Sequence, residues 1–250
     1  MSTTTSRPTP LCIYLIRHGE TEWSLSGQHT GCTDVPLTDR GEDQARELGQ
    51  CLRGSRFAHV LVSPRRRARK TCELAGLGAV VEIDPELAEW DYGVYEGQRS
   101  EDIRKARPDW NIFQDGCPGG EMPQQVSDRA DRLIARLRTF KGNVALFSHG
   151  QYGCVLGARW IGLPLIEAKH FQLGPASVSI LGYDHHHPDV SVIAQWNGVS
   201  HALPDSLAEK PRAIQRWENE GGEIPSNDGS NPAHSNRLPS AEASAVLTES

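Results

Sequence analysis

The 250-residue sequence is short of several things at once. It has no excess of basic charge: 26 lysines and arginines face 32 aspartates and glutamates, leaving a net charge of −6. No global field therefore draws it to nucleic acid or to an anionic membrane. No apolar run comes near the roughly 20 residues that a membrane-spanning helix requires. The first ten residues carry no hydrophobic core of the kind that directs secretion. The six cysteines, at positions 12, 32, 51, 72, 117 and 154, form no Cys-x-x-Cys pair. That argues against a zinc site or a disulfide frame and for reduced thiols in a cytoplasmic setting. What remains is a chain long enough for one substantial core. Its expected partner is a small molecule, with no nucleic acid and no membrane involved, and a homo-oligomer stays open.

Against these absences stand short apolar runs that end abruptly in charge. Leu11-Cys12-Ile13-Tyr14-Leu15-Ile16 has the length and β-branched character of a strand buried on both faces. It passes without a linker into Arg17-His18-Gly19-Glu20-Thr21. A guanidinium and an imidazole then stand at the carboxyl end of a strand, the edge where open α/β sheets hold their ligands. Gly19 permits a tight turn and close approach to a ligand. Val144-Ala145-Leu146-Phe147 repeats the pattern, ending in Ser148-His149-Gly150 before a helix through about Trp160. One core histidine needs no function, but two strands delivering His-Gly to one edge are hard to explain as packing.

Between these runs the segment Trp23–Gly41 reads as a long loop, and long loops in compact domains are usually binding loops. Thr38 is the expected cap of a helix that buries Ala45, Leu48 and Leu52. Val60-Leu61-Val62 is a short strand that runs into Ser63-Pro64-Arg65-Arg66-Arg67-Ala68-Arg69-Lys70. Pro64 suits a first helical turn, so the basic cluster opens a helix. Arginines there oppose the helix dipole unless they meet an anion. Most belong on a solvated face, and one is expected to point back over the strand end. A third strand is expected over Val80–Ile83. The loop Glu89-Trp90-Asp91-Tyr92-Gly93-Val94-Tyr95-Glu96 interleaves three carboxylates with aromatic rings. A carboxyl desolvated by such rings holds its proton near neutral pH, as a general acid must. The spacing leaves open which of Glu89, Asp91 and Glu96 that is. A helix near Glu101–Arg107, a loop at Asp115–Glu121 and a strongly amphipathic helix over Gln124–Phe140 follow. Ser177–Leu181 and Val190–Trp196 read as final strands, and His185-His186-His187 between them as a turn. The alternation of strands with helices argues for an α/β fold: a three-layer, mostly parallel open sheet with helices on both faces.

The set Arg17-His18-Gly19-Glu20-Thr21, Ser63-Pro64 with Arg67-Ala68 and Thr71, Glu89 with Tyr92-Gly93, and Ser148-His149-Gly150 resembles the histidine phosphatase (phosphoglycerate mutase-like) superfamily. The order and spacings agree over about three quarters of the chain. Gly27-Gln28-His29-Thr30-Gly31, Glu89–Gly93 and Asp115-Gly116-Cys117-Pro118-Gly119-Gly120-Glu121 look most like its broad-specificity acid phosphatases and sedoheptulose-bisphosphatase-like enzymes. The resemblance implies a metal-independent phosphomonoesterase acting on small phosphorylated metabolites, with no cofactor. It implies His18 as the nucleophile that becomes phosphohistidine, and Arg17, Arg67 and His149 around the phosphate. It implies Glu89 as proton donor and then base, and His29, Thr30 and Tyr92 as substrate contacts. His18 neutral and His149 charged would suit this chemistry, so their pKa values are expected to be pushed apart.

The chain also departs from the pattern. Cys154 stands where relatives in this branch carry an arginine for a distal phosphate. Met122 replaces a common serine, and Ser24 stands where the mutases have asparagine. A phosphoglycerate mutase and a non-catalytic phosphate-binding module are the alternative readings. The expected domain runs over 11–197. Residues 198–250 form a C-terminal extension whose composition points to one helix over Glu209–Glu220 and disorder beyond it.

Overall fold

A computed structural model describes residues 10–198; the extension's expected helix and tail lie outside the described residues. The chain runs β1 (Cys12–Arg17), α1 (Glu22–Ser26), α2 (Asp39–Leu52), β2 (Phe57–Val62), α3 (Arg66–Leu74) and β3 (Glu82–Ile83). It continues through α4 (Ser100–Ala106), α5 (Ile112–Asp115), α6 (Pro123–Leu137), β4 (Asn143–Ser148), α7 (Gly150–Trp160), β5 (Val178–Tyr183) and β6 (Ser191–Gly198). The strands form one sheet in the order β3-β2-β4-β1-β5-β6. The first four neighbours pair in parallel, and β5 and β6 close one side antiparallel. This is the expected mostly parallel sheet.

Both faces of the sheet are covered, and the strands alternate between them as a period of two requires. Ile13, Leu15, Val144 and Leu146 join one core with Val126, Leu133 and Ile134 of α6 and Val155 and Leu156 of α7. Tyr14, Ile16, Ala145 and Phe147 join the other with Leu48 and Leu52 of α2 and Ala68 and Cys72 of α3. A strand buried on both faces has no polar side, which is why β1 and β4 read as unbroken apolar runs.

The local differences have local reasons. Part of the long loop is α1, held by a capping box in which Thr21 and Ser24 satisfy each other's amides. Pro64 stands before the cap of α3, not within its first turn, because Arg65 is extended (ψ 135°). The anion that the basic cluster needed is Asp34, whose carboxylate accepts from the Arg66 amide at 2.9 Å. The third strand shrinks to two residues, with Val80 85% exposed beside it. The short α5 falls just before the expected loop at Asp115.

Gly19 packs its α-carbon against another stretch of backbone. A Cβ there would strike the Gly41 carbonyl, and one on Gly41 would strike the carbonyl of Glu20, so the turn after β1 lies directly on the start of α2. Gly→Ala inside a helix ordinarily stabilises by about 1 kcal/mol. For Gly41→Ala the sign should reverse to a loss of about 1–3 kcal/mol, the usual range for overpacking. Denaturant unfolding measures this, and a variant as stable as the parent would contradict the contact.

Candidate active site

The parallel pairing of β1 and β4 sets Arg17 opposite Ser148, so the residues that follow, His18 and His149, leave the sheet side by side. Their rings lie 5.2 Å apart, centroid to centroid. Both are buried and both sit at the carboxyl edge of the sheet, next to a cleft of about 290 Å³. Arg17, His18, Glu89, His29, Thr30 and Tyr92 line that cleft together. Arg67 and His149 lie behind His18 and are not part of the cleft wall.

The tautomer of His18 follows from its partners. Nδ1 is 2.7 Å from the Gly19 carbonyl, which can only accept, so Nδ1 carries the proton. Arg67 Nε donates to His18 Nε2 at 3.3 Å, so Nε2 presents a lone pair. Burial and the charges of Arg67 and Arg17 hold the pKa of this imidazole well below its ordinary value. His149 pairs through Nε2 with Ser63 Oγ at 2.7 Å. Its pKa is also pushed well down, by burial first and then by Arg67. The expected divergence of the two histidines is corrected here: both pKa values are pushed down, because both rings are buried and, after burial, the same arginines press on both.

Arg67 is completely buried, and its remaining donors are used on a loop. Nη1 donates to Thr33 O at 3.0 Å, and Nη2 to Thr30 O at 2.7 Å and Gly31 O at 3.3 Å. From the other side Glu96 accepts from the amides of Gly31 and Thr33. Loop residues 28–33 are thus clamped through both their carbonyls and their amides. His29 stacks on Tyr92 (4.5 Å, 25°) and its Nε2 pairs with Ser100 Oγ at 3.1 Å. Arg17 donates through Nη1 to the Leu173 carbonyl and lies against Gly150, where a Cβ would come 3.4 Å from the guanidinium carbon. Arg17 Nε and His149 Nδ1 are buried and have no partner among the described residues; the Arg17 N–H is a donor that an anion would satisfy.

The structure separates the three carboxylates that spacing left open. Asp91 accepts from the Gly93 amide and Glu96 holds the loop just described. Only Glu89 lines the cleft. Its carboxylate accepts from the amides of Trp90 (2.9 Å), Tyr152 (2.7 Å) and Gln151 (3.1 Å), the last two at the N-terminus of α7. The aromatic setting is half present: Tyr92 lines the cleft, while the Trp90 indole turns away to donate to Glu121 O.

Beyond the centre, the described residues of the cleft wall add no further charged side chain; Ser100, Gln151, Gln172, Trp23 and Phe171 supply a hydroxyl, amides and rings. Cys154 is among them; burial pushes its thiol up to about 12, and it donates to Phe171 O at 3.4 Å. Gln172 and Leu173 went unnoticed in the sequence because they act through position and backbone, with no motif to mark them. At the β5–β6 turn the histidine run is organised by Asp184, which accepts from the amides of His186 and His187.

The family model of the histidine phosphatase superfamily (branch 1) matches residues 13–197. An acid phosphatase of Mycobacterium tuberculosis is 46% identical over 177 residues, 69% of this chain and 87% of the relative. The sedoheptulose 1,7-bisphosphatase of Saccharomyces cerevisiae is 38% identical over 188 residues, 62% of this chain and 69% of the relative. A solved structure of an open reading frame product of Mycobacterium tuberculosis superposes with a TM-score of 0.70 at 41% identity, covering 76% of this chain and 98% of that one.

The buried histidines make stability depend on pH with a definite sign. His29 is pushed down by burial to about 4, against an ordinary value of about 6.5. The unfolded chain therefore takes up the proton first as pH falls. The stabilisation is intact above about pH 6.5 and is lost as the pH drops towards about 4, and His18 and His149 act in the same direction. Denaturation free energies should fall across that window, with a shallower slope in His29→Gln. An unchanged slope in the variant would contradict a neutral, buried His29.

Proposed function

The chain belongs to the histidine phosphatase superfamily and is a phosphatase, and we propose that it hydrolyses small phosphomonoesters, metal-independently, through a phosphohistidine formed on Nε2 of His18. The observation that carries this reading is the state of that nitrogen: an imidazole held neutral, its Nδ1–H donating to the Gly19 carbonyl and its Nε2 lone pair turned towards Arg67. An arriving phosphoryl group takes over the Arg67 donor, so the bond that holds the lone pair becomes one that neutralises phosphate charge. Arg17 supplies the second fixed cation from the cleft wall.

The reaction then balances with groups already present. His18 Nε2 forms the bond to phosphorus as the ester oxygen leaves, and Glu89 gives that oxygen a proton. A water next attacks the phosphohistidine, Glu89 takes its proton, and inorganic phosphate departs. Two guanidiniums stabilise the equatorial oxygens, the role that metal ions fill in other phosphoryl-transfer sites. His149, adjacent to His18 and short of a partner at Nδ1, is assigned to the phosphate as well.

The rest of the cleft supports a leaving group without a second anion. His29, Thr30 and Tyr92 are the proposed substrate contacts, and the neutral thiol of Cys154 offers nothing to a distal phosphate. A mutase must retain a two-phosphate intermediate, and among the described residues this wall offers no outer cation for it. We assign the catalytic domain to 11–197 and the protein to the cytoplasm, the latter resting on a sequence whose six cysteines form no Cys-x-x-Cys pair. Among the described residues no helix is long and apolar enough to cross a membrane.

Purified protein should hydrolyse p-nitrophenyl phosphate and sugar monophosphates, favour a monophosphate over the matching bisphosphate, and keep its rate in EDTA. His18→Ala should abolish hydrolysis. Isomerisation of 3-phosphoglycerate in the presence of 2,3-bisphosphoglycerate, without hydrolysis, would overturn the reading in favour of a mutase. Turnover of none of these would favour a binding module, and loss of rate in EDTA would refute the metal-independent step.

A further inference from the structure

Glu89 sits in a stretch without regular secondary structure, between 3-10 turns at Pro85–Leu87 and Gly93–Tyr95, yet its carboxylate must meet a leaving oxygen to within a fraction of an ångström. Something outside the cleft has to hold that stretch. We infer that Arg129, on α6, is the positioning residue for Glu89, acting with Glu121 as its intermediary. The inference rests on the reading of Glu89 as proton donor.

Arg129 is buried and does not line the cleft. Its guanidinium nevertheless touches every part of the Glu89 setting. On the N-terminal side, Nη1 donates to Glu86 O at 2.9 Å and to Ala88 O at 2.7 Å, the carbonyl immediately before Glu89. On the C-terminal side it acts through Glu121, to which Nε and Nη2 donate in a parallel pair, both at 2.9 Å. Glu121 in turn accepts from the Asp91 amide at 2.9 Å through Oε2 and from the Trp90 indole at 2.9 Å through its backbone carbonyl. The guanidinium also lies over the ring of Tyr152, 4.1 Å from its centroid. Tyr152 is the residue whose amide makes the shortest bond to the Glu89 carboxylate.

One planar cation therefore fixes the chain before Glu89, the chain after it and the helix end that grips its carboxylate. A lysine cannot reproduce this, because an ammonium lacks the rigid fork needed for a bidentate carboxylate and two carbonyls together. The residues that would bind phosphate stand elsewhere, on β1, α3 and β4 and the loops that follow them. Loss of Arg129 should accordingly impair proton donation and leave phosphate binding alone.

Single-turnover release of alcohol separates these effects. In Glu89→Gln, an alkyl phosphate should be slowed about 10²–10⁴-fold, the usual worth of general acid catalysis, and p-nitrophenyl phosphate much less. Arg129→Gln and Arg129→Lys should show the same selectivity at smaller amplitude, slowing the alkyl ester roughly 10- to 100-fold and the aryl ester less than about threefold. Inhibition by inorganic phosphate should be unchanged. Glu121→Gln, which keeps the shape of the pair, provides the same comparison should the arginine variants fail to fold. Equal slowing of both esters in these variants, or no slowing, with Glu89→Gln still selective, would overturn the role of Arg129 alone. A Glu89→Gln enzyme without leaving-group selectivity would overturn the role of Glu89 and with it the inference.

Discussion

The site depends on a charge that cannot be neutralised in a place that water does not reach. The Arg67 guanidinium is fully buried, and burying an ion is tolerable only where its donors are met. It finds three carbonyls of the loop at residues 30–33 and the bare nitrogen of His18. Those four bonds have consequences well beyond the arginine. They shape the loop that carries His29 and Thr30, they leave His18 no choice of tautomer, and with burial they keep both histidines neutral. A buried cation of this kind is stabilised further by an anion, which gives the free site an electrostatic bias towards phosphate before any substrate contact is made.

The sheet provides the placement that this bias requires. Parallel strands in register deliver consecutive residues to one edge, so a single pairing, β1 on β4, brings two histidines and an arginine together. The acid comes from a different kind of element, an irregular stretch that is held by bonds to α6 and to the start of α7. The site thus joins a rigid half, defined by strand register, to a half defined by hydrogen bonds to the ion pair of buried Arg129 and half-buried Glu121. The described residues of the outer cleft add shape and neutral polarity without charge.

Much of this was legible in the order of residues. Apolar runs ending in Arg-His-Gly and Ser-His-Gly mark β1 and β4 and their common edge, because a doubly buried strand must be apolar throughout and a functional edge must not be. Thr38 as the cap of α2 and the buried stripe of α6 are likewise local signals. What could not be read depends on contacts distant in sequence. By spacing alone Glu89, Asp91 and Glu96 are equivalent; the family resemblance implied Glu89, and in the structure their partners at Gln151, Tyr152, Gly93 and Gly31 distinguish them. Gly19 was read as a tight turn near a ligand, and the backbone of α2 that its missing side chain admits is a contact spacing does not reveal. The two histidines were expected to differ in charge, but spacing does not reveal that one pair of arginines faces both. Arg129 carries no motif, since its importance lies in which carbonyls it reaches.

The central claim is that His18, through Nε2, is the atom that accepts the phosphoryl group. Rapid quenching of the enzyme with radiolabelled substrate, followed by mapping of the acid-labile, base-stable label, tests it most directly. The account predicts label on His18 and none in His18→Ala, with His149→Ala still able to become labelled at His18. Label on His149, or a labelled His18→Ala protein, would contradict it.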